Sequence, residues 1–190
     1  IEHITGLTRS ARLIHQTDSL TAAQESTFHK FQKELLQWRP VQYVLGEAWF
    51  CGMKFFVDER VLVPRPETEE LVEEVKREIE NLKSKIESEQ PITVLDVGTG
   101  SGCIAVSLKK KKPEWDIWAV DMSSDALEVA RQNAKNLGTE IHFIEADILD
   151  EESRADRGNR NDAGVPGLGA ARRQPAAGRA HERRAVASPS

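Results

Sequence analysis

The stretch from Ile92 to Lys112 constrains the fold more than any other part of this chain of 190 residues. Ile92-Thr93-Val94-Leu95-Asp96-Val97 is a near-continuous apolar run of strand length, the pattern of a parallel strand covered on both faces. Gly98-Thr99-Gly100-Ser101-Gly102 follows without a spacer, and Cys103 to Lys112 has helical character. Glycine at every second position lets the backbone turn sharply and lets a ligand approach it closely. A helix that opens directly behind such a loop offers N–H groups with no partner inside the helix. The unit then repeats. Ile117-Trp118-Ala119-Val120 is a second strand, Ser124 to Leu137 a helix stopped by Gly138, and Ile141-His142-Phe143-Ile144 a third strand. Strands alternating with helices predict an α/β fold, a doubly wound parallel sheet.

A lone glycine-rich loop is a weak signal, because NAD enzymes use a related one. Three further features sharpen it. The spacing is G-x-G-x-G, which departs from the dinucleotide pattern G-x-G-x-x-G. Asp121 closes the second strand, 23 residues after Gly98, where a carboxylate accepts hydrogen bonds from ribose hydroxyls. Asp147, in Glu145-Ala146-Asp147, follows the third strand and is placed near an adenine amino group. Each aspartate alone is equally well read as a turn residue at a strand end. As a set with the loop, they resemble the Rossmann-like class I methyltransferases that depend on S-adenosyl-L-methionine (SAM). NAD binding and a structural loop without a ligand stay open as competing readings.

Upstream, residues 1–40 read as helical. Phe28, Phe31, Leu35 and Trp38 recur at helical spacing, and Pro40 stops the run. Trp49-Phe50 and Phe55-Phe56-Val57 flank Cys51-Gly52, which predicts a β-hairpin. Val61-Leu62-Val63 is extended and leads into Pro64-Arg65-Pro66. Proline suits the first turn of a helix, where its missing N–H costs nothing. Glu67, Glu69 and Glu70 suit the positive end of the helix dipole. Leu71, Val72, Val75, Ile79, Leu82 and Ile86 form the apolar stripe of this helix, which ends before Pro91.

Pro64-Arg65-Pro66-Glu67-Thr68-Glu69-Glu70-Leu71-Val72, standing just ahead of the glycine loop, resembles the HemK/PrmC family of protein-(glutamine-N5) methyltransferases. Pro40-Val41-Gln42-Tyr43-Val44-Leu45-Gly46 and Trp49-Phe50-Cys51-Gly52 are similar to the interdomain hairpin of that family. The likeness runs from about residue 25 to residue 152. It implies a small helical domain that helps hold a peptide chain release factor, followed by a class I methyltransferase domain. Residues 1–40 would be the latter part of the helical domain, 41–66 the hairpin and linker, and 67–153 the N-terminal half of the methyltransferase domain. The cofactor contacts of the family carry over to Gly98, Thr99, Gly100, Ser101, Gly102, Asp121, Asp147 and Ile148. Its substrate side carries over to Arg65, Pro66, Glu67 and Thr68, beside the mouth of the active site.

The implied activity is methylation of a glutamine side-chain amide of a release factor by a cytoplasmic monomer, with S-adenosyl-L-methionine as methyl donor and no metal. The family's catalytic motif, Asn-Pro-Pro-Tyr after the fourth strand, does not occur here. The chain has no Asn-Pro pair, and Tyr43 is its only tyrosine. In the family, the Asn side chain and a backbone carbonyl accept the amide hydrogens and aim the nitrogen at the methyl group. Without those acceptors, positioning for in-line transfer is lost. No catalytic residue is therefore assigned, and these 190 residues are expected to bind SAM poorly and to lack activity. Two other readings stay open. One is an enzyme acting on a ribosomal-protein glutamine or a nucleic-acid amino group. The other is a non-catalytic binding fragment.

Composition divides the chain near residue 153. Residues 1–153 carry 18 basic and 28 acidic side chains, whereas 154–190 carry 8 arginines, no lysine and 3 acids. Ala, Arg, Gly and Pro dominate this last stretch, and its only large aliphatics, Val165, Leu168 and Val186, are too few for a core. It reads either as a basic disordered tail that tethers RNA or a partner, or as the product of a changed reading frame. Its dominant residues all have GC-rich codons. The chain begins at Ile1 rather than Met, so its natural start is expected upstream. A net charge of −5 disfavours a broad basic face for nucleic acid, leaving the tail as the one candidate for that role. Lys109 to Lys112 are better read as cations at a helix end than as a phosphate patch.

Cys51 and Cys103 match no disulfide or metal spacing, which points to a reducing compartment. His3, His15, His29, His142 and His181 form no metal spacing either. No apolar run approaches the roughly 20 residues of a membrane span. Translation of the encoding DNA from codon 145 onward separates the two readings of the tail. One of the other frames is expected to give a strand followed by Asn-Pro-Pro-Tyr, and if neither does, the frame-change reading fails.

Overall fold

The computed structural model describes residues 2–85 and 91–149. The tail, 154–190, lies outside the described residues, as do Ile86 and the expected helix end before Pro91. Three helices open the chain: α1 (Glu2–Thr5), α2 (Arg9–Ile14) and α3 (Ala22–Leu36). Threonines in extended backbone set the starts of the second and third. Thr8 Oγ1 accepts from Ala11 N at 3.3 Å, and Thr21 and Gln24 bond reciprocally as a capping box.

The predicted helical run over 1–40 is broken, and its end lies elsewhere. α3 stops at Leu36, four residues before Pro40. Trp38 N donates to Leu35 O and Arg39 N to Glu34 O, a Schellman closure with Trp38 at the left-handed position (φ 61°) where glycine is usual. Trp38 is 93 % exposed and leaves the stripe formed by Phe28, Phe31 and Leu35. Pro40 then opens a further helix, α4 (Val41–Leu45), which ends at left-handed Gly46. Its carbonyl accepts from the N–H groups of Tyr43 and Val44, a role in which a missing N–H is no handicap.

The predicted hairpin is present as β1 (Glu47–Phe50) and β2 (Met53–Phe56), an antiparallel pair with Phe50 opposite Met53. Cys51 and Gly52 both have positive φ, 48° and 72°, as a type I′ turn requires. Strand alternation turns Ala48, Phe50 and Phe55 inward. Phe50 and Phe55 are wholly buried, edge to face at 6.1 Å, among Val72, Val106, Leu108, Trp115 and Ile117. The hairpin is therefore built into the core of the α/β unit.

Next comes α5 (Glu67–Lys85), entered through Pro66, with Thr68 N and Glu69 N donating to Arg65 O and Pro66 O. Its buried stripe is narrower than predicted. Val72 is fully buried and Val75 and Ile79 pack on the core, but Leu71 and Leu82 are about half exposed.

The α/β alternation is as expected: β3 (Thr93–Val97), α6 (Cys103–Lys111), β4 (Asp116–Asp121), α7 (Ser124–Asn136) and β5 (His142–Glu145). The strands form a parallel sheet in the order β3-β4-β5. Both crossovers step the same way, so right-handed connections place α6 and α7 on one face. They touch each other and β4, and α5 packs on α6. Burial differs from expectation at β3. The apolar run predicted cover on both faces, yet β3 is only partly buried, whereas Ile117, Ala119 and Val120 of the central β4 are almost completely buried. Among the described residues no strand pairs with β3 on the side away from β4, so the run lies at a sheet edge.

Two substitutions test this packing in urea unfolding. Phe55→Ala is expected to lower the unfolding free energy by roughly 3–5 kcal/mol through the cavity it opens. Trp38→Gly is expected to raise it by about 0.5–1 kcal/mol, the left-handed strain relieved less the backbone entropy that glycine loses. A destabilised Trp38→Gly chain contradicts the Schellman assignment.

Candidate functional site

The C-terminal ends of β3, β4 and β5 lie side by side, the place where open α/β sheets bind ligands. Gly98 N and Thr99 N both donate to Val120 O, at 2.8 and 3.0 Å, which ties the glycine loop to the end of β4. Gly98, Gly100 and Gly102 all have positive φ. At Gly98 and Gly100 an added Cβ would meet nothing within 4 Å, so this backbone faces open space. At Gly102 it would sit 3.1 Å from Ala130 Cβ of α7, so glycine here is what lets the loop rest on that helix.

The polar residues of the loop point inward. Thr99 and Ser101 are buried, and Thr99 Oγ1 donates to Asp96 Oδ2 at 2.7 Å. Asp121 Oδ2 accepts from Gly100 N at 2.9 Å and its Oδ1 accepts from Ser123 N at 3.0 Å. Two backbone N–H groups thus fix this carboxylate, and each oxygen keeps a lone pair for a further donor. Asp121 O accepts from Ala146 N at 2.9 Å, which holds the end of β5 beside it. Asp147 Oδ1 accepts from Leu149 N at 2.8 Å and turns the chain after β5. Val97, Met122 and Ile148 expose apolar side chains at or just beyond these strand ends.

The glycine loop and Asp121 are therefore in direct contact, and Asp147 and Ile148 follow the strand next to Asp121. Arg65, Pro66, Glu67 and Thr68 are not joined to them: among the described residues no hydrogen bond or ion pair links the start of α5 to the loop. Arg65 is exposed there. What anchors the approach to this segment is Tyr43, whose hydroxyl donates to Val61 O at 2.7 Å. Val61 and Val63 also pack with Ala126 and Val129 of α7.

Two residues without an assigned role turn out to matter. Burial pushes the Asp96 carboxyl above the usual carboxylate range, and nearby Asp121 pushes the same way. Hydrogen bonds from Thr99 and the Ala105 N–H partly offset the effect. The signal for Asp96 was present, since it opens the loop motif. Asn133 is wholly buried on α7. Its Oδ1 accepts from Phe56 N at 2.7 Å, and its Nδ2 donates to Phe56 O and Ser101 O, both at 2.9 Å. Nothing in the sequence marks it out from other polar residues of an amphipathic helix.

Other candidates are accounted for structurally. Lys109 Nζ donates to Pro113 O and Trp115 O, Lys111 pairs with Glu73 at 2.6 Å, and Lys112 pairs with Glu80 at 2.5 Å. These lysines brace the end of α6. Burial pushes the Cys103 thiol up to about 11, which keeps it protonated and unreactive. Among the described residues no helix is long and apolar enough to cross a membrane.

The chemistry of the loop selects its ligand class. Asp96 and Asp121 both lie against it, and residues 96–108 contain no lysine or arginine. The two carboxyls attract a cationic group, and this stretch contributes no basic side chain. The fixed carboxylate of Asp121 suits a ribose diol, and the exposed apolar side chains suit the face of a purine. In thermal or urea unfolding, Gly102→Ala is expected to cost about 1–3 kcal/mol more than Gly98→Ala, because only the first adds overlap with Ala130 to the backbone strain. Equal losses would show that the loop does not rest on α7.

Comparison with known proteins agrees with this geometry. Residues 88–162 match the methyltransferase domain family, and residues 1–46 match the PrmC N-terminal domain. A release factor glutamine methyltransferase of Chlorobaculum tepidum is 46 % identical over 149 residues, which is 77 % of this chain and 50 % of the relative. Proteins of the same description from Streptococcus pneumoniae and Flavobacterium psychrophilum are 40 % and 47 % identical. Those matches cover 80 % and 63 % of this chain, and 54 % and 44 % of the relatives. The chain thus spans about half the length of the curated relatives it matches. With a match to the PrmC N-terminal domain, a match to a methyltransferase domain and a glycine loop tied to Asp121, the chain is similar to the HemK/PrmC family in both matched regions.

Proposed function

We propose that this chain is the cofactor-binding part of an enzyme that methylates a glutamine side-chain amide of a peptide chain release factor. S-adenosyl-L-methionine, when bound, supplies a methyl group on a positively charged sulfonium. The observation that carries this reading is the glycine loop itself, open at Gly98 and Gly100, fastened to Asp121 and lined by carboxyls rather than cations. The description of the relatives supports the substrate.

Each residue then has a task. Gly98 and Gly100 leave the backbone bare for close approach. Asp121 accepts from ribose hydroxyls, its orientation held by Gly100 N and Ser123 N. Asp96 adds negative charge beneath the loop for a cationic ligand. Asp147 accepts from the adenine amino group, and Ile148 packs against the ring. Arg65, Pro66, Glu67 and Thr68 form the substrate side at the start of α5, and the helices of residues 1–46 help to hold the release factor. The enzyme is proposed to work as a cytoplasmic monomer. An amide nitrogen is a weak nucleophile, because its lone pair is delocalised into the carbonyl. It needs acceptors for its hydrogens to point it at the methyl group. No Asn-Pro pair is present in the 190 residues to supply them, so this chain is proposed to bind the cofactor weakly without turning over. The engaged lysines of α6 give no support to a nucleic-acid substrate.

Equilibrium dialysis with SAM and with NAD tests the cofactor, and transfer of labelled methyl to a release factor tests turnover. Saturable SAM binding is expected, weakened about 10- to 100-fold in Asp121→Ala, the loss expected for hydrogen bonds to a charged acceptor. The Asp96 carboxyl lies above the ordinary range, so lowering the pH protonates it and removes charge that attracts the cation. SAM affinity should therefore fall toward acid pH, and Asp96→Asn should bind more weakly with a flatter profile. Preference for NAD would overturn the cofactor reading, and methyl transfer by these 190 residues would overturn the claim of inactivity.

A further inference from the structure

We propose that Asn133 is a positioning residue that seats the cofactor loop in register with the hairpin, so that loop and hairpin open together. The link to cofactor affinity rests on the functional reading above; the link between the two segments rests on geometry alone. Asn133 is fully buried, and its side-chain amide makes three hydrogen bonds. Both Nδ2 hydrogens go to backbone carbonyls, Phe56 O and Ser101 O, and Oδ1 takes the Phe56 N–H. Toward β2 the amide does what a neighbouring strand would do, pairing the N–H and C=O of one residue. Its third bond reaches the glycine loop.

The loop has two supports. Its first half hangs from β4 through Val120 O and Asp121 Oδ2. Its second half lies on α7, where Ala130 lies 3.1 Å from the Cβ position of Gly102 and Asn133, three residues on, bonds Ser101 O. Gly100 sits at the junction of the two. The hairpin end is equally constrained: Phe55 lies in the core, and Val57 N donates to Gly46 O at the close of α4. A displacement of α4 and the hairpin therefore reaches the loop through the Asn133 side chain as well as through the shared core, and Asn133 is the part of that route that bonds the loop backbone directly.

Few residues fit this position. Aspartate keeps the acceptor for Phe56 N but aims a carboxylate oxygen at two carbonyls. Alanine leaves three buried backbone groups without partners. Because coupling is reciprocal, a protein partner that fixes the hairpin side tightens the loop, and a cofactor seated in the loop firms the hairpin.

Amide hydrogen exchange on the full 190-residue chain without ligand tests the latch. Asn133→Asp and Asn133→Ala are compared with Val129→Ala, a buried change on the same helix that breaks none of these bonds. Exchange over residues 98–104 and 47–57 is expected to rise about 10- to 100-fold in the Asn133 variants beyond any rise in β4, as for loss of buried hydrogen bonds. In Val129→Ala, loop and sheet should change together. If the loop changes no more than β4 in the Asn133 variants, the proposal is wrong. Should those variants not fold, the unmutated chain decides. The Phe56 amide and those of Gly100 and Gly102 should share one opening equilibrium within about threefold, and independent opening overturns the latch. Calorimetry with S-adenosylhomocysteine supplies the functional arm. About tenfold weaker binding by Asn133→Asp is expected from the lost seat, and unchanged binding refutes the positioning role. Absence of binding by the unmutated chain counts against the cofactor reading alone, since exchange is measured without ligand.

Discussion

The carboxamide of Asn133 bonds a hairpin residue 77 positions earlier in the chain and a loop residue 32 positions earlier, and the arrangement of the candidate site rests on it. Phe56 sits at the free end of a two-stranded hairpin, where its N–H and C=O would otherwise be orphaned beside a helix. Ser101 sits in a loop whose glycines hold it by no side chain at all. One buried polar group satisfies both. A two-stranded hairpin alone is marginal in water. This one holds because Phe50 and Phe55 are in the common core and Asn133 caps its last residue. The helix that carries Asn133 starts three residues after Asp121, so the same element that seats the loop also follows directly from its acidic partner.

Electrostatics give the site its direction. In a glycine loop that receives phosphate, the backbone N–H groups point at an anion. Here one of those groups, Gly100 N, is already given to Asp121, and a second carboxyl, Asp96, lies beneath. The arrangement spends an anion-binding donor on fixing a carboxylate. Such a loop suits a neutral sugar and a positive centre, as the proposed function requires. This distinction is physical rather than a matter of motif spelling.

The fold was legible where local pattern and tertiary context agree. The strand–glycine loop–helix unit, the two repeats after it and the hairpin at Cys51-Gly52 follow from periodicity and turn chemistry, and the structure has each of them. Pro40 misled because proline stops one helix and starts another with equal ease. The sequence cannot say that Trp38 takes the left-handed position usually left to glycine. Burial of β3 was overestimated for a different reason. An apolar run reports what a strand is built to meet, whereas its exposure depends on which neighbours are there. Of the site, Gly98 to Gly102 and Asp121 were readable from spacing. Asn133 was not, because its partners are backbone atoms 32 and 77 residues away and leave no trace in composition.

The position of β3 also bears on chemistry. Cofactor recognition needs only the ends of β3, β4 and β5, all present and hydrogen-bonded to one another. Orienting an amide for attack, the other half of the proposed reaction, needs acceptors for the amide hydrogens. Binding and reactivity are then separable in principle: one set of residues fixes where the methyl group lies, another fixes where the nucleophile lies. Under the proposed function, a change at Asp121 or Asn133 acts on occupancy of the loop rather than on the orientation of the nucleophile.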